Sequence, residues 1–310
     1  MQPSTPIETI LKRDRAVVVL GVAGVTALAW GYVIYLAQST SGMSSGMAMA
    51  QLQSWTAADF GFMFLMWWVM MIGMMVPTAA PMILLFATVN RRRREQQGPY
   101  VPTVVFLSGY LVIWGGFAAA ATVGNWALHV NSLLSSMMGE STSAYLGGGL
   151  LIAAGLFQWS RFKYVCLTHC RSPLYFLMSD WQEGVQSALR MGLKHGTYCV
   201  GCCWVLMGLL FVLGVMNLLW IAALAAFVLL EKVVPAGQRL SKATGLLLVG
   251  WGVVVAARLL GQSAESRQVR QKLPNQLHHR SIASVLLHDS LDGRQVQSAS
   301  LTADRLFHLV

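Results

Sequence analysis

The stretch that decides the fold is KHGTYCVGCCWVLMGLLFVLGVMNLLWIAALAAFVLLEK, residues 194–232. Between Lys194 and Glu231 it contains no Asp, Glu, Lys or Arg. As one helix it would run about 50 Å at 1.5 Å per residue, whereas the hydrocarbon core of a bilayer is about 30 Å thick. The segment must fold back. Gly214 and Asn217 are turn formers near its middle, so it predicts two membrane spans, 197–213 and 218–230.

Outward from this hairpin, charges interrupt apolar blocks of similar length. These predict further spans over residues 16–37, 60–89, 101–123, 144–160 and 243–260. The block at 16–37 is too long for the core of a cleaved signal peptide. Pro77 and Pro81 lie in the last third of the second span, where their missing N–H donors are expected to kink or break the helix. The expected fold is all-α, a polytopic transmembrane bundle of about seven spans over residues 16–260. A short segment, 1–15, precedes it, and a polar, flexible tail, 261–310, follows.

Composition agrees. Of 310 residues, 11% are charged and 55% hydrophobic, against a charged share of roughly 25% in soluble globular chains. With a mean hydropathy of +0.56, a soluble enzyme is excluded. The formal net charge of +10 suggests nucleic acid only until the basic residues are located. They flank apolar blocks, so lipid is the expected partner and nucleic acid is not. Lys12, Arg13 and Arg15 precede the first span, and Arg91, Arg92, Arg93 and Arg94 follow the second. Arg161, Lys163, Arg171, Arg190 and Lys194 lie between the fourth and fifth, and Lys232, Arg239 and Lys242 between the sixth and seventh. The alternate loops, 38–56, 124–143 and 214–217, have no Lys or Arg. The basic side is therefore expected to be cytoplasmic, N-terminus included, in a bacterial inner membrane. An odd number of spans sends the basic tail outside, but charge far from a span weighs little.

No internal repeat or nucleotide-binding loop is present. Gly116, Ala120 and Gly124 on one face of the third span are expected to serve close helix packing.

Sulfur is the compositional anomaly. Six of the 17 methionines fall between Met63 and Met75. Met63, Met66, Met70 and Met74 are spaced three and four apart, so one helix face presents a ladder of thioethers, with Met71 and Met75 beside it. Such a stripe also serves adaptable apolar packing. Met43, Met47 and Met49, and Met137 and Met138 near His129 and Glu140, fall in loops with no core to fill. Thioethers resist conditions that oxidise thiols, which suits capture of copper as Cu(I) from an oxidising compartment.

All five cysteines lie in two groups. Cys166 and Cys170 enclose His169 as C-x-x-H-C, and Cys199, Cys202 and Cys203 read C-x-x-C-C. Each offers soft ligands at i, i+3 and i+4, one face of a helix. His195 joins the second face if that helix starts early enough. Both groups map to the cytoplasmic end, where thiols stay reduced and bind metal as thiolates. Zinc is the alternative metal, since Cys and His satisfy it too. Two other readings compete: a membrane thiol-disulfide oxidoreductase using Cys199 and Cys202 against a quinone, and a structural accessory subunit of a membrane complex.

At these residues the chain resembles a bacterial family of metal-binding integral membrane proteins, some of them copper chaperones accompanying a tyrosinase-type polyphenol oxidase. The resemblance is carried by MWWVMMIGMMVPTAAP (66–81), YVCLTHCRSPLYFL (164–177) and LRMGLKHGTYCVGCCWVLM (189–207), and continues through GVMNLLW (214–220) and LLEK (229–232). It covers most of the chain from the second span to Arg258 and implies copper handling, with a copper-dependent enzyme as acceptor. The expected metal ligands are Cys166, His169, Cys170, His195, Cys199, Cys202 and Cys203 at the inner site, with Met66, Met70 and Met74 as a relay. No catalytic residue is expected. In the tail, His278, His279, His288 and His308 are irregularly spaced and are expected to add little.

Overall fold

The computed structural model describes residues 6–41, 55–95, 101–130, 144–181, 184–215, 217–258 and 261, and among these the regular structure is entirely helical. The helices are α1 (Pro6–Ser41), α2 (Ala57–Glu95), α3 (Thr103–Val130), α4 (Ala144–Phe157), α5 (Arg161–Arg171), α6 (Pro173–Asp180), α7 (Val185–Gly208), α8 (Leu210–Leu213) and α9 (Leu218–Val233). A further helix, α10, covers Gly237–Arg258. The chain divides into two compact units, Met1–Ala256 and Ala257–Val310. Of the second, Ala257 and Arg258 end α10 and Gly261 is helical; the tail histidines lie outside the described residues.

Among the described residues, five helices are long and apolar enough to cross a membrane: Ala16–Ser39, Ala57–Arg93, Thr103–Val130, Val185–Leu213 and Gly237–Arg258. The other two expected spans correspond to the shorter α4 and α9. The fold-back falls where the sequence puts it. Gly214, at φ 89°, stops α8, and Asn217 caps α9 by accepting from the backbone N–H of Leu219 (3.2 Å) and Trp220 (3.5 Å). The segment expected as a loop between the fourth and fifth spans instead forms two short helices. Ser160 caps α5 by accepting from Lys163 N at 3.1 Å, and Pro173 opens α6 after Ser172.

The prolines do not break α2, which runs as one helix of 39 residues. Pro77 leaves the Gly73 carbonyl without its helical donor. Trp30 Nε1 of α1 donates to that carbonyl at 3.2 Å, so a helix defect becomes an interhelical bond.

Close packing through small residues occurs elsewhere than expected. A Cβ added to Gly116 would meet nothing within 4 Å and Ala120 is exposed, so this part of the face looks outward, while one on Gly124 would make only an ordinary contact, 3.7 Å from Phe211 Cζ. The contact that needs glycine is between α3 and α7. A Cβ on Gly192 would lie 2.0 Å from Phe106 O, and one on Gly109 would lie 2.5 Å from Leu189 O. Gly148 and Gly155 of α4 similarly face Gly252 and Gly245 of α10.

Candidate metal centre

α7 begins at Val185, after Gly184, whose φ of 97° only glycine adopts readily, and so starts 12 residues before the span expected from residue 197. That early start puts His195 one turn ahead of Cys199, and Cys202 and Cys203 follow at i+3 and i+4 on the same face. All three cysteines are inaccessible to solvent, and His195 is buried. The Cys202 and Cys203 thiols donate back to the Cys199 carbonyl at 3.1 and 3.0 Å.

Three other helices reach this face. From α5, Cys170 is packed beside Cys199 and Cys202. From α9, the Lys232 ammonium donates to Cys199 Sγ at 2.9 Å and to Thr78 Oγ1 of α2 at 3.0 Å. An ammonium has only protons to give, so Cys199 is the acceptor. From α3, Tyr110 Oη lies 3.2 Å from Cys199 Sγ and donates to Met75 O at 3.0 Å, a carbonyl that Thr78 Oγ1 also reaches at 2.8 Å. One sulfur thus sits at the junction of α2, α3, α5, α7 and α9.

The two cysteine groups therefore meet, but not every expected residue joins them. Cys166 lies along α7 beside Gly201, where an added Cβ would come within 2.8 Å of its sulfur. His169 turns away: its Nδ1 pairs with Val165 O at 2.8 Å and its ring stacks on Tyr198, centroids 4.3 Å apart. His195 is walled by Phe106, Tyr110 and Phe176, and its Nδ1 has no hydrogen-bond partner among the described residues. The two α5 thiols keep their protons. Cys170 is held well above the ordinary thiol range by the neighbouring sulfurs of Cys199 and Cys202 and then by burial, and Cys166 is raised by burial and by Cys202. All five cysteines are unpaired thiols. Among the described residues, no group of three or more His, Cys, Asp or Glu side chains is set around a point that could hold a metal ion. The Cys202 and Cys203 thiols are satisfied by the Cys199 carbonyl, and the Cys199 sulfur by Lys232.

Met66, Met70 and Met74 are buried, as are Met63, Met71 and Met75. Both stripes face protein because α2 is enclosed by its neighbours. Asn125 Nδ2 of α3 donates to Met63 Sδ at 3.1 Å, and Met75 supplies the carbonyl beside the cysteine cluster, so the methionine series runs from one to the other. Met43, Met47, Met49, Met137, Met138 and Glu140 lie outside the described residues.

Lys232, Tyr110 and Thr78 are the site residues that sequence reasoning missed. Lys232 follows an apolar block and reads as a topology charge, as does Lys163. Both are in fact buried, and Lys163 pairs with Glu231 at 2.7 Å. The signal that distinguishes them is the Glu-Lys pair closing an apolar span, because charges so near lipid need internal partners.

Comparison with known proteins gives one family. The profile described as "PpoB2: Copper chaperone" matches residues 64–255, from the methionine series through α7 and α9 into α10. No curated protein and no solved structure matches the chain.

Proposed function

The chain belongs to the PpoB2 copper-chaperone family, and from that premise we propose that it carries Cu(I) on the sulfur cluster of Cys170, Cys199, Cys202 and Cys203, supplied along Met66, Met70 and Met74. The family assignment makes the role accessory rather than enzymatic, with a copper-dependent protein as partner. The proposed acceptor is a polyphenol oxidase. The observation that carries the reading is the meeting of Cys170 with Cys199 and Cys202 beside a buried ammonium.

Cu(I) is soft and monovalent, and it favours thiolate and thioether sulfur. Two thiolates and Cu(I) leave one negative charge, and Lys232 supplies one positive charge at 2.9 Å from Cys199 Sγ. The loaded site is then close to neutral, which a buried position demands. Binding displaces thiol protons and exchanges thiol-to-carbonyl hydrogen bonds for metal-sulfur bonds. Thiols that the Cys199 carbonyl and Lys232 satisfy without metal also make release feasible, because the empty site is not left with unpaired polar groups. His195, with its unpartnered Nδ1, completes the set on α7. Cys166 and His169 are assigned supporting positions along α5.

We propose seven crossings, with the N-terminus on the cytoplasmic side of a bacterial inner membrane. α4 and α9, with 14 and 16 residues, span about 21 and 24 Å. They cross if the cytoplasmic boundary lies at their ends, near Gln158 and Lys232, which sets the sulfur cluster at that boundary. Single introduced cysteines in a cysteine-free chain, probed in intact cells with an impermeant maleimide, test this. The loop after Arg94 is expected to stay unlabelled from outside, and labelling there would reverse the orientation.

The relay is tested by changing Met66, Met70 and Met74 together to Leu, which keeps volume and apolarity. Copper delivery to a co-expressed copper enzyme is expected to fall severalfold, while the purified variant keeps its helicity and its cysteine-bound copper. Normal delivery would leave the methionines as packing.

A further inference from the structure

Of the two helices that bring sulfur to the cluster, α7 belongs to a span and α5, with 11 residues, does not. α5 is nevertheless fixed at both ends to one place. Near its start, Lys163 is 1% exposed and its ammonium lies 2.7 Å from Glu231 Oε1 in the last turn of α9. The same ammonium donates to Gln158 Oε1, which also accepts from Ser241 Oγ of α10 at 2.9 Å. At the last residue of α5, Arg171 Nη2 donates to Val234 O at 2.6 Å and Pro235 O at 2.9 Å, carbonyls just beyond α9. Lys232, next to Glu231 in the chain, is the ammonium on Cys199. One end of α9 therefore carries both the tethers of α5 and the charged partner of the cluster.

A buried ion pair is a poor way to join helices, because desolvation offsets its attraction and an apolar pair would serve as well. Glu231 is an expensive example, since Lys163 reaches only Oε1, and Oε2 has no hydrogen-bond partner among the described residues. What the pair provides is register. Cys170 lies seven residues after Lys163, two turns along the same face. Fixing Lys163 on Glu231 fixes where that face meets Cys199 and Cys202, and Arg171 fixes the helix end beside Cys170.

We infer that Lys163, Glu231 and Arg171 are positioning residues that hold Cys170 against Cys199 and Cys202, making α5 an arm that delivers one sulfur to the site. The functional meaning of this arm rests on the copper reading above, but its geometric consequence does not.

The test uses the full-length, reduced chain in detergent and two readouts. One is the rate at which a maleimide modifies Cys170 relative to Cys199, read by peptide mass. The other is Cu(I) affinity by competition with a chromogenic Cu(I) chelator. Glu231→Gln is expected to speed modification of Cys170 about tenfold with Cys199 unchanged, and to weaken Cu(I) binding about tenfold or more, as loss of an outer partner of a ligand does. The exchange Lys163→Glu with Glu231→Lys is expected to restore both. Arg171→Gln asks the same question from the other end of α5, should Glu231→Gln fail to yield folded protein. Unchanged Cys170 reactivity in both single variants would overturn the inference. So would full restoration by Lys163→Met with Glu231→Leu, since that would reduce the pair to packing. Undiminished Cu(I) affinity in Cys170→Ser would instead count against the copper reading, and the modification rates would still decide the positioning role.

Discussion

Gly192→Ala is expected to destabilise the chain strongly. The new Cβ would lie 2.0 Å from Phe106 O, 3.0 Å from Phe106 C and 3.2 Å from Tyr110 N. All three are backbone atoms of α3, so no side-chain rotation relieves the overlap and the helices must separate. Overpacking of this kind costs roughly 1–3 kcal/mol, occasionally more, and a clash with a helix backbone belongs at the upper end. The separation also draws Tyr110 from its 3.2 Å contact with Cys199, so reduced metal binding should accompany the lower melting temperature in detergent. Gly116→Ala is the control. Its Cβ meets nothing within 4 Å, and alanine favours a helix over glycine by about 1 kcal/mol, so that variant should melt at or above the parent. Equal destabilisation by both changes would show that α3 and α7 do not pack as described.

Cys199→Ser is expected to have the largest effect on copper. This sulfur is the acceptor of the Lys232 ammonium, the neighbour of Tyr110 and the partner of Cys170, and Cu(I) takes a hydroxyl poorly in place of a thiolate. Losing an outer partner of a ligand costs about 10- to 100-fold in affinity, and losing the ligand itself should cost more. The chain should remain folded, because serine can keep the Lys232 and Tyr110 contacts. Cys202→Ser should give a similar loss, and Cys166→Ser a smaller one, since its sulfur lies against Gly201 rather than among the hydrogen-bonded group. A thiol-disulfide enzyme predicts otherwise: a Cys199–Cys202 bridge in the oxidised protein and indifference to Cys170. Isolation of that bridge, with copper affinity unchanged in Cys199→Ser, would favour the redox reading.

Much of this was legible in the chain. The uncharged run from His195 to Leu230 forces a hairpin, and Gly214 and Asn217 are the residues that make it. The cysteine spacings and the place of His195 follow from helical geometry once α7 begins at Val185. The boundaries of the short elements were not legible. α5 and α6 occupy a stretch whose charges read as loop, and their helices depend on packing against α7. Gly192 rather than Gly116 is the close contact because proximity is decided by which face of α3 meets α7, and a small residue looks the same on either face. Lys232 and Lys163 were hidden for a related reason. A lysine beside an apolar block marks topology when it points out and a site when it points in, and only Cys199 and Glu231 across the bundle settle the direction.

The most direct test of the central claim is the copper content and copper X-ray absorption of the purified full-length chain after loading with Cu(I) under reducing conditions. The account predicts bound Cu(I) with sulfur as its dominant scatterer, lost when Cys170, Cys199 and Cys202 are together changed to Ser in a chain that remains helical. Copper retained undiminished in that triple variant, or copper ligated by nitrogen and oxygen alone, would contradict it.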